Sequence, residues 1–258
     1  MSDTHSPLSV ARDQHVTVIE ISRPPANYFD EELVSALVTA LSAADDDAEC
    51  RAVVLCSAGR NFCAGADFGA GGFATDRVAT AARMYRRVVG LFGNRKPIVA
   101  AIQRAAVGGG LGLACVADFR VADPDSRFVA NFAALGFHQG FGLSVTLPAI
   151  VGRQHAADLL YRGATIHGER AFELGLVDRL VERGGQRKAA LEWAHEIAGS
   201  APLAVASIRE TLRGGLADEV RAVLDRELAE QTRLWQTADS AEGIAAVLER
   251  RRPEFVGR

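Results

Sequence analysis

Residues 96–122 read KPIVAAIQRAAVGGGLGLACVADFRVA, and the order of residue types in this stretch decides the fold class. Lys96-Pro97 opens a run from Ile98 to Ile102 without a polar residue, the pattern of a strand covered on both faces. Gly108-Gly109-Gly110 then leads into a short helix carrying Leu111, Leu113 and Cys115, and another strand is expected at Phe119 to Val121. Strand, glycine loop, helix and strand in this order describe a βαβ crossover, so an α/β fold with a mainly parallel sheet is expected.

Working outward toward the N-terminus, VTVIEIS from Val16 alternates apolar and polar residues as a half-buried strand does, and RPPAN, residues 23–27, ends it. Asp30 is placed to cap a helix whose Leu33, Leu37 and Leu41 recur at helical spacing up to Asp45-Asp46-Asp47. Residues 52–56, AVVLC, read as a second fully buried strand, followed by a glycine-rich loop over 57–73 and a helix over about 78–92. Beyond Leu143 the spacing predicts helices at 144–151, 154–161, 169–174, 186–198, 202–212 and 218–237, which cover or extend the sheet.

The chain has 258 residues, 48% of them hydrophobic, enough for the core of one α/β domain. Lysine and arginine total 29 against 32 acidic residues, so there is no basic surplus to favour nucleic acid as a partner. Residues 1–10 lack the apolar core of a secretory signal and no apolar run approaches the length of a membrane span, so a cytoplasmic protein is expected. Cys50, Cys56, Cys63 and Cys115 show no CxxC pairing and lie in apolar or glycine-rich surroundings; buried reduced thiols are expected, and no metal chemistry is signalled.

Two segments place flexible backbone directly after a buried strand: residues 61–67, NFCAGAD, and 106–112, AVGGGLG. Each alone reads as an ordinary turn. If they converge, their free N–H groups can jointly hold an oxygen that becomes negative, with a helix N-terminus behind the second loop adding to the field. Neither matches a GK[ST] phosphate loop or a GxGxxG dinucleotide fingerprint.

The ordered set NFCAGAD, then residues 96–122, then GLVDRLV at 175–181, with RPPAN near the start and EGIAAVLERRRPEF at 242–255, strongly resembles the crotonase, or enoyl-CoA hydratase/isomerase, superfamily over nearly the whole chain. The resemblance implies a spiral of ββα repeats: a core over residues 1–200 with a CoA-thioester site, and a C-terminal helical region over 201–258 that assembles trimers or dimers of trimers. It implies that the backbone N–H groups of Ala66 and Gly109 polarise the thioester carbonyl, and that Ala26, Ala64, Asp67, Phe68 and Arg250 contact coenzyme A. No tightly bound cofactor is implied; coenzyme A enters as part of the acyl-CoA substrate. On the residues alone, Asp67 serves equally as a turn cap, Phe68 as packing and Arg250 as a solvated charge.

The chain departs from the family pattern where it matters most. The two glutamates that handle water and proton in the family's hydratases correspond to Gly112 and Phe132, and the carboxylate of the related dehalogenases corresponds to Gly140. None of the three can move a proton. His138 and Gln139 are the most polar members of the segment that builds the far side of the acyl pocket, and are the candidates for a base and a water- or oxygen-holding group, against a structural reading of His138. Tyr85, on the helix after the first loop, is placed to reach the pocket, which such helices line in the family, although packing with its hydroxyl at the surface is the plainer reading; Cys63 reads as an inert thiol. Three readings follow: an enolate-stabilising hydratase or isomerase, a crotonase-fold hydrolase or carbon–carbon lyase using His138, and an acyl-CoA-binding protein without catalysis.

Overall fold

The computed structural model describes residues 6–69 and 72–258. In chain order its strands are β1 Leu8–Asp13, β2 Val16–Ile21, β3 Ala52–Ser57, β4 Ile98–Ile102, β5 Ala105–Val107, β6 Phe119–Ala122, β7 Arg127–Val129, β8 Thr165–His167 and β9 Arg179–Leu180. The helices are α1 Glu31–Asp46, α2 Gly72–Thr75, α3 Arg77–Phe92, α4 Gly109–Ala114, α5 Leu143–Val151, α6 Arg153–Arg162, α7 Gly168–Glu173, α8 Gln186–Ala198, α9 Pro202–Arg213, α10 Leu216–Leu234 and α11 Ala238–Glu249.

A six-stranded sheet runs β1-β2-β3-β4-β6-β9, parallel throughout except for the β1–β2 hairpin. The unbroken apolar runs of β3 and β4 are explained by cover on both faces, since side chains alternate along a strand. Val53, Leu55, Ile98 and Ala100 point into the main core with Leu33, Leu37 and Val88 of α1 and α3. Val54, Cys56, Val99 and Ala101 point the other way, onto Ala190, Ala194 and Ala198 of α8, whose four-residue spacing forms one stripe of small side chains.

A small second sheet, β5-β7-β8, stands beside the first. Neither it nor β1 is legible as strand in the sequence. β5, β7 and β8 have three residues each, too few to show a period, and β1 buries only Leu8. The single helix expected over 218–237 ends as α10 at Leu234, and α11 begins after Thr237, whose hydroxyl accepts the Ser240 N–H at 3.1 Å.

Candidate functional site

Four segments are sewn together by backbone and one buried asparagine. The Cys63 N–H donates to the Ala105 carbonyl at 2.9 Å and the Val107 N–H to the Cys63 carbonyl at 3.1 Å, so the two glycine loops lie side by side as a short parallel bridge. Gly110 permits this contact, because a Cβ there would stand 2.2 Å from the Cys63 oxygen. On the outer side, Ala64 N–H donates to the Ala26 carbonyl at 3.0 Å and Phe29 N–H to the Gly65 carbonyl at 3.0 Å. Asn27 is fully buried; its amide donates to the Ala58 and Asn61 carbonyls at 2.8 and 2.7 Å while its oxygen accepts the Arg23 N–H at 2.8 Å. The RPPAN segment is thereby a brace for the first loop.

Among the described residues, the N–H groups of Ala66 and Gly109 meet no acceptor, and both residues border one cavity of about 220 Å³. Ala64, Asp67 and Phe68 line it as well. Ala26 stands behind the wall and supports it through its carbonyl. Arg250, exposed, caps α11 one turn beyond the cavity-lining Val247 and Leu248. His138 and Gln139 are not in the lining: the His138 Nδ1 faces the Gln139 carbonyl at 2.8 Å, and the Gln139 amide donates to the Ser144 hydroxyl at 3.0 Å.

The space beside Gly112 and Gly140 is filled by rings. A Cβ on Gly112 would lie 2.7 Å from the Phe141 ring, and one on Gly140 would lie 1.8 Å from the Tyr85 hydroxyl. Phe132 is buried in the same wall, edge-on to Phe137 at 6.1 Å between ring centres.

Gln231 and Trp235 line the cavity without having been expected there, and Tyr85 lines it rather than placing its hydroxyl at the surface. Tyr85 donates its hydroxyl to the Gln231 side-chain oxygen at 2.9 Å, and the Gln231 amide donates to the His138 carbonyl at 3.0 Å. Burial drives the Tyr85 phenol well above its usual range, the charge of Glu227 adding to the effect, so this hydroxyl keeps its proton and serves as donor rather than base. Glu227, with no exposed surface, accepts the N–H groups of Gly142 and Ser144 at 2.9 and 3.0 Å and fixes the left-handed turn at Phe141 and Gly142. Burial raises its pKa, against the opposing pull of those donors and of nearby His138. A signal existed in the sequence: Val220, Leu224, Glu227 and Gln231 form one buried stripe of α10, and two polar residues on a core stripe mark a special site. Burial likewise pushes the Cys63 thiol up to about 12, which leaves it protonated and inert. No group of three or more potential metal ligands gathers among the described residues.

A family model for enoyl-CoA hydratase/isomerase matches residues 11–258. The "Probable enoyl-CoA hydratase" of Bacillus subtilis (strain 168) is 33% identical over 254 residues, spanning 97% of this chain and 98% of its own. The 2,3-dehydroadipyl-CoA hydratase of Escherichia coli (strain K12) is 32% identical, covering 98% of this chain and all of the relative. A crystal structure of an enoyl-CoA hydratase/isomerase from Pseudoalteromonas atlantica T6c superposes with a TM-score of 0.86 at 30% identity, covering 97% of this chain and 100% of that one. Together with the two bridged loops and the spiral fold, these likenesses establish that the chain belongs to the enoyl-CoA hydratase/isomerase family, with the crotonase fold.

Proposed function

We propose that this protein binds an acyl-CoA thioester and stabilises its enolate, the N–H groups of Ala66 and Gly109 holding the thioester oxygen as it gains charge. The observation that carries this reading is the pair of backbone donors without acceptors on bridged loops at the cavity wall. Preset donors of this kind stabilise developing charge without reorganising at the moment of reaction. Ala26, Ala64, Asp67, Phe68 and, at the rim, Arg250 are the proposed coenzyme A contacts. Isomerisation or hydration of an enoyl thioester is the reaction class, the proton being moved by some group other than residues 112 and 132. The helices beyond residue 200 are the proposed assembly region of a homotrimer or dimer of trimers.

Turnover of an enoyl-CoA panel by the wild type and by Ala66→Pro tests the reading. Losing one such donor costs about 10²–10³ in kcat, with a smaller change in KM. Equal turnover in the two proteins overturns the assignment of Ala66. Tight thioester binding by the wild type without product after long incubation identifies a binding protein instead. The hydrolase or lyase reading, with His138 as base, has less support because the His138 side chain lies outside the cavity lining; it requires His138→Ala to abolish activity.

A further inference from the structure

Burial orders the cavity from its mouth to its inner end. Tyr28, Val247 and Leu248 are exposed, and Asp67 and Phe68 are half-buried, so these lining residues form the outer part. Phe29, Met84, Tyr85 and Phe141 line the cavity too and are buried. They stand together: Phe29 meets Phe141 at 5.5 Å between ring centres, and the Tyr85 hydroxyl abuts Gly140. A thioester whose coenzyme A lies along the outer residues sends its acyl group toward this inner end. The Tyr85 hydroxyl there is engaged by Gln231, which leaves carbon and sulfur to meet an alkyl chain.

Within this end, Phe141 differs from its neighbours in position and in backbone. Its ring borders the cavity, whereas Gly112 of α4, whose Cβ would lie 2.7 Å from that ring, does not. The ring therefore stands between the cavity and α4. The backbone at Phe141 has a φ of 62°, in the left-handed region that a bulky side chain rarely adopts. Such a conformation persists only where the surroundings over-determine it. Here the fully buried carboxylate of Glu227 accepts the next two free amides, those of Gly142 and Ser144, at 2.9 and 3.0 Å, while Phe29 and Gly112 confine the ring. The result is a large side chain fixed at one place in the wall, and a close-packed interior does not yield there.

We propose, building on the thioester reading above, that Phe141 is the specificity-determining residue of the acyl site: its ring ends the space open to the acyl group and restricts the protein to thioesters with a short alkyl part. Each methylene that enters apolar space adds about fourfold to affinity. That gain continues until the chain reaches the ring and stops there. Gly112 belongs to the same device, since only a residue without a side chain admits the ring against α4.

Saturated thioesters separate binding from chemistry. Dissociation constants are measured calorimetrically for the even-numbered straight-chain series from acetyl-CoA to dodecanoyl-CoA, with the wild type, Phe141→Gly and Phe141→Leu, each checked for native circular dichroism. In the wild type, affinity is expected to rise with chain length and then to level off or fall at one member of the series. The next thioester, two methylenes longer, is expected to bind Phe141→Gly about tenfold tighter than it binds the wild type. Phe141→Leu keeps an apolar side chain on the same turn; its break moves in the same direction by less, and it decides the matter where the glycine variant does not fold. A uniform loss of affinity across the series with the break unmoved marks a ring that only supports the fold and overturns the proposal. A wild type whose affinity keeps rising through dodecanoyl-CoA overturns it as well. Both outcomes leave the thioester reading intact, whereas failure of every thioester to bind the wild type overturns both.

Discussion

At the scale of single residues, Gly112 and Glu227 carry the consequences of close packing around the cavity. The hole at Gly112 is occupied by Phe141, so Gly112→Glu does not simply restore an acid. It forces its side chain against a ring 2.7 Å from where Cβ would stand. The expected outcome is a loss of stability of about 1–3 kcal/mol in urea unfolding, with no gain in hydration of an enoyl-CoA. A variant that gains hydration at undiminished stability contradicts this account. Glu227 gives a pH signature. Its folded pKa lies above that of an exposed glutamate, so the folded state holds its proton more tightly than the unfolded chain does. Its contribution to stability is then complete below the ordinary glutamate pKa and is lost as pH rises through the raised folded value. Gln at 227 does not titrate, and urea midpoints of Glu227→Gln are expected to fall less steeply with rising pH than those of the wild type over that window. Parallel profiles contradict it.

Among the elements, α1 has a clear sequence signature and a clear task. Asp30 accepts the Leu33 N–H at 2.9 Å and pairs with Arg23 at 2.7 Å, closing the helix immediately after Phe29. Leu33, Val34, Leu37 and Leu41 then anchor the helix in the core. Asp30→Ala is expected to cost about 1 kcal/mol, measurable as a lower Tm, and Asp30→Ser to recover most of it; equal Tm for all three contradicts the capping role. α10 was legible as a helix but not as a wall of the site. Its buried stripe mixes Val220 and Leu224 with Glu227 and Gln231, and only the packing of α10 against α3 brings Gln231 to Tyr85, 146 residues away in the chain.

For the molecule as a whole, α9 carries three strongly exposed large apolar side chains among the described residues, Leu203, Ile208 and Leu212, which are 85%, 59% and 79% exposed. Arg209 and Arg213 on the same helix clamp Asp118 at 3.0 and 2.8 Å, which holds α9 in place while leaving those side chains outward. Exposed apolar side chains on a helix fixed in this way are suited to subunit contact. Leu203→Glu/Leu212→Glu is expected to dissociate the proposed oligomer to monomers in light scattering; an unchanged mass places the contact elsewhere. The sequence by itself determined the parallel sheet, the capped α1 and the two glycine loops, because apolar runs, cap residues and glycine strings act over a few residues. It also determined the family, through the order of NFCAGAD, the residues 96–122 and the C-terminal helix. The tertiary structure alone decided that Phe141 fills the space beside Gly112, that His138 is not among the residues lining the cavity, and that α10 supplies Gln231 to its wall. Those outcomes depend on contacts between segments 29 to 146 residues apart, and no local pattern of side chains encodes such distances.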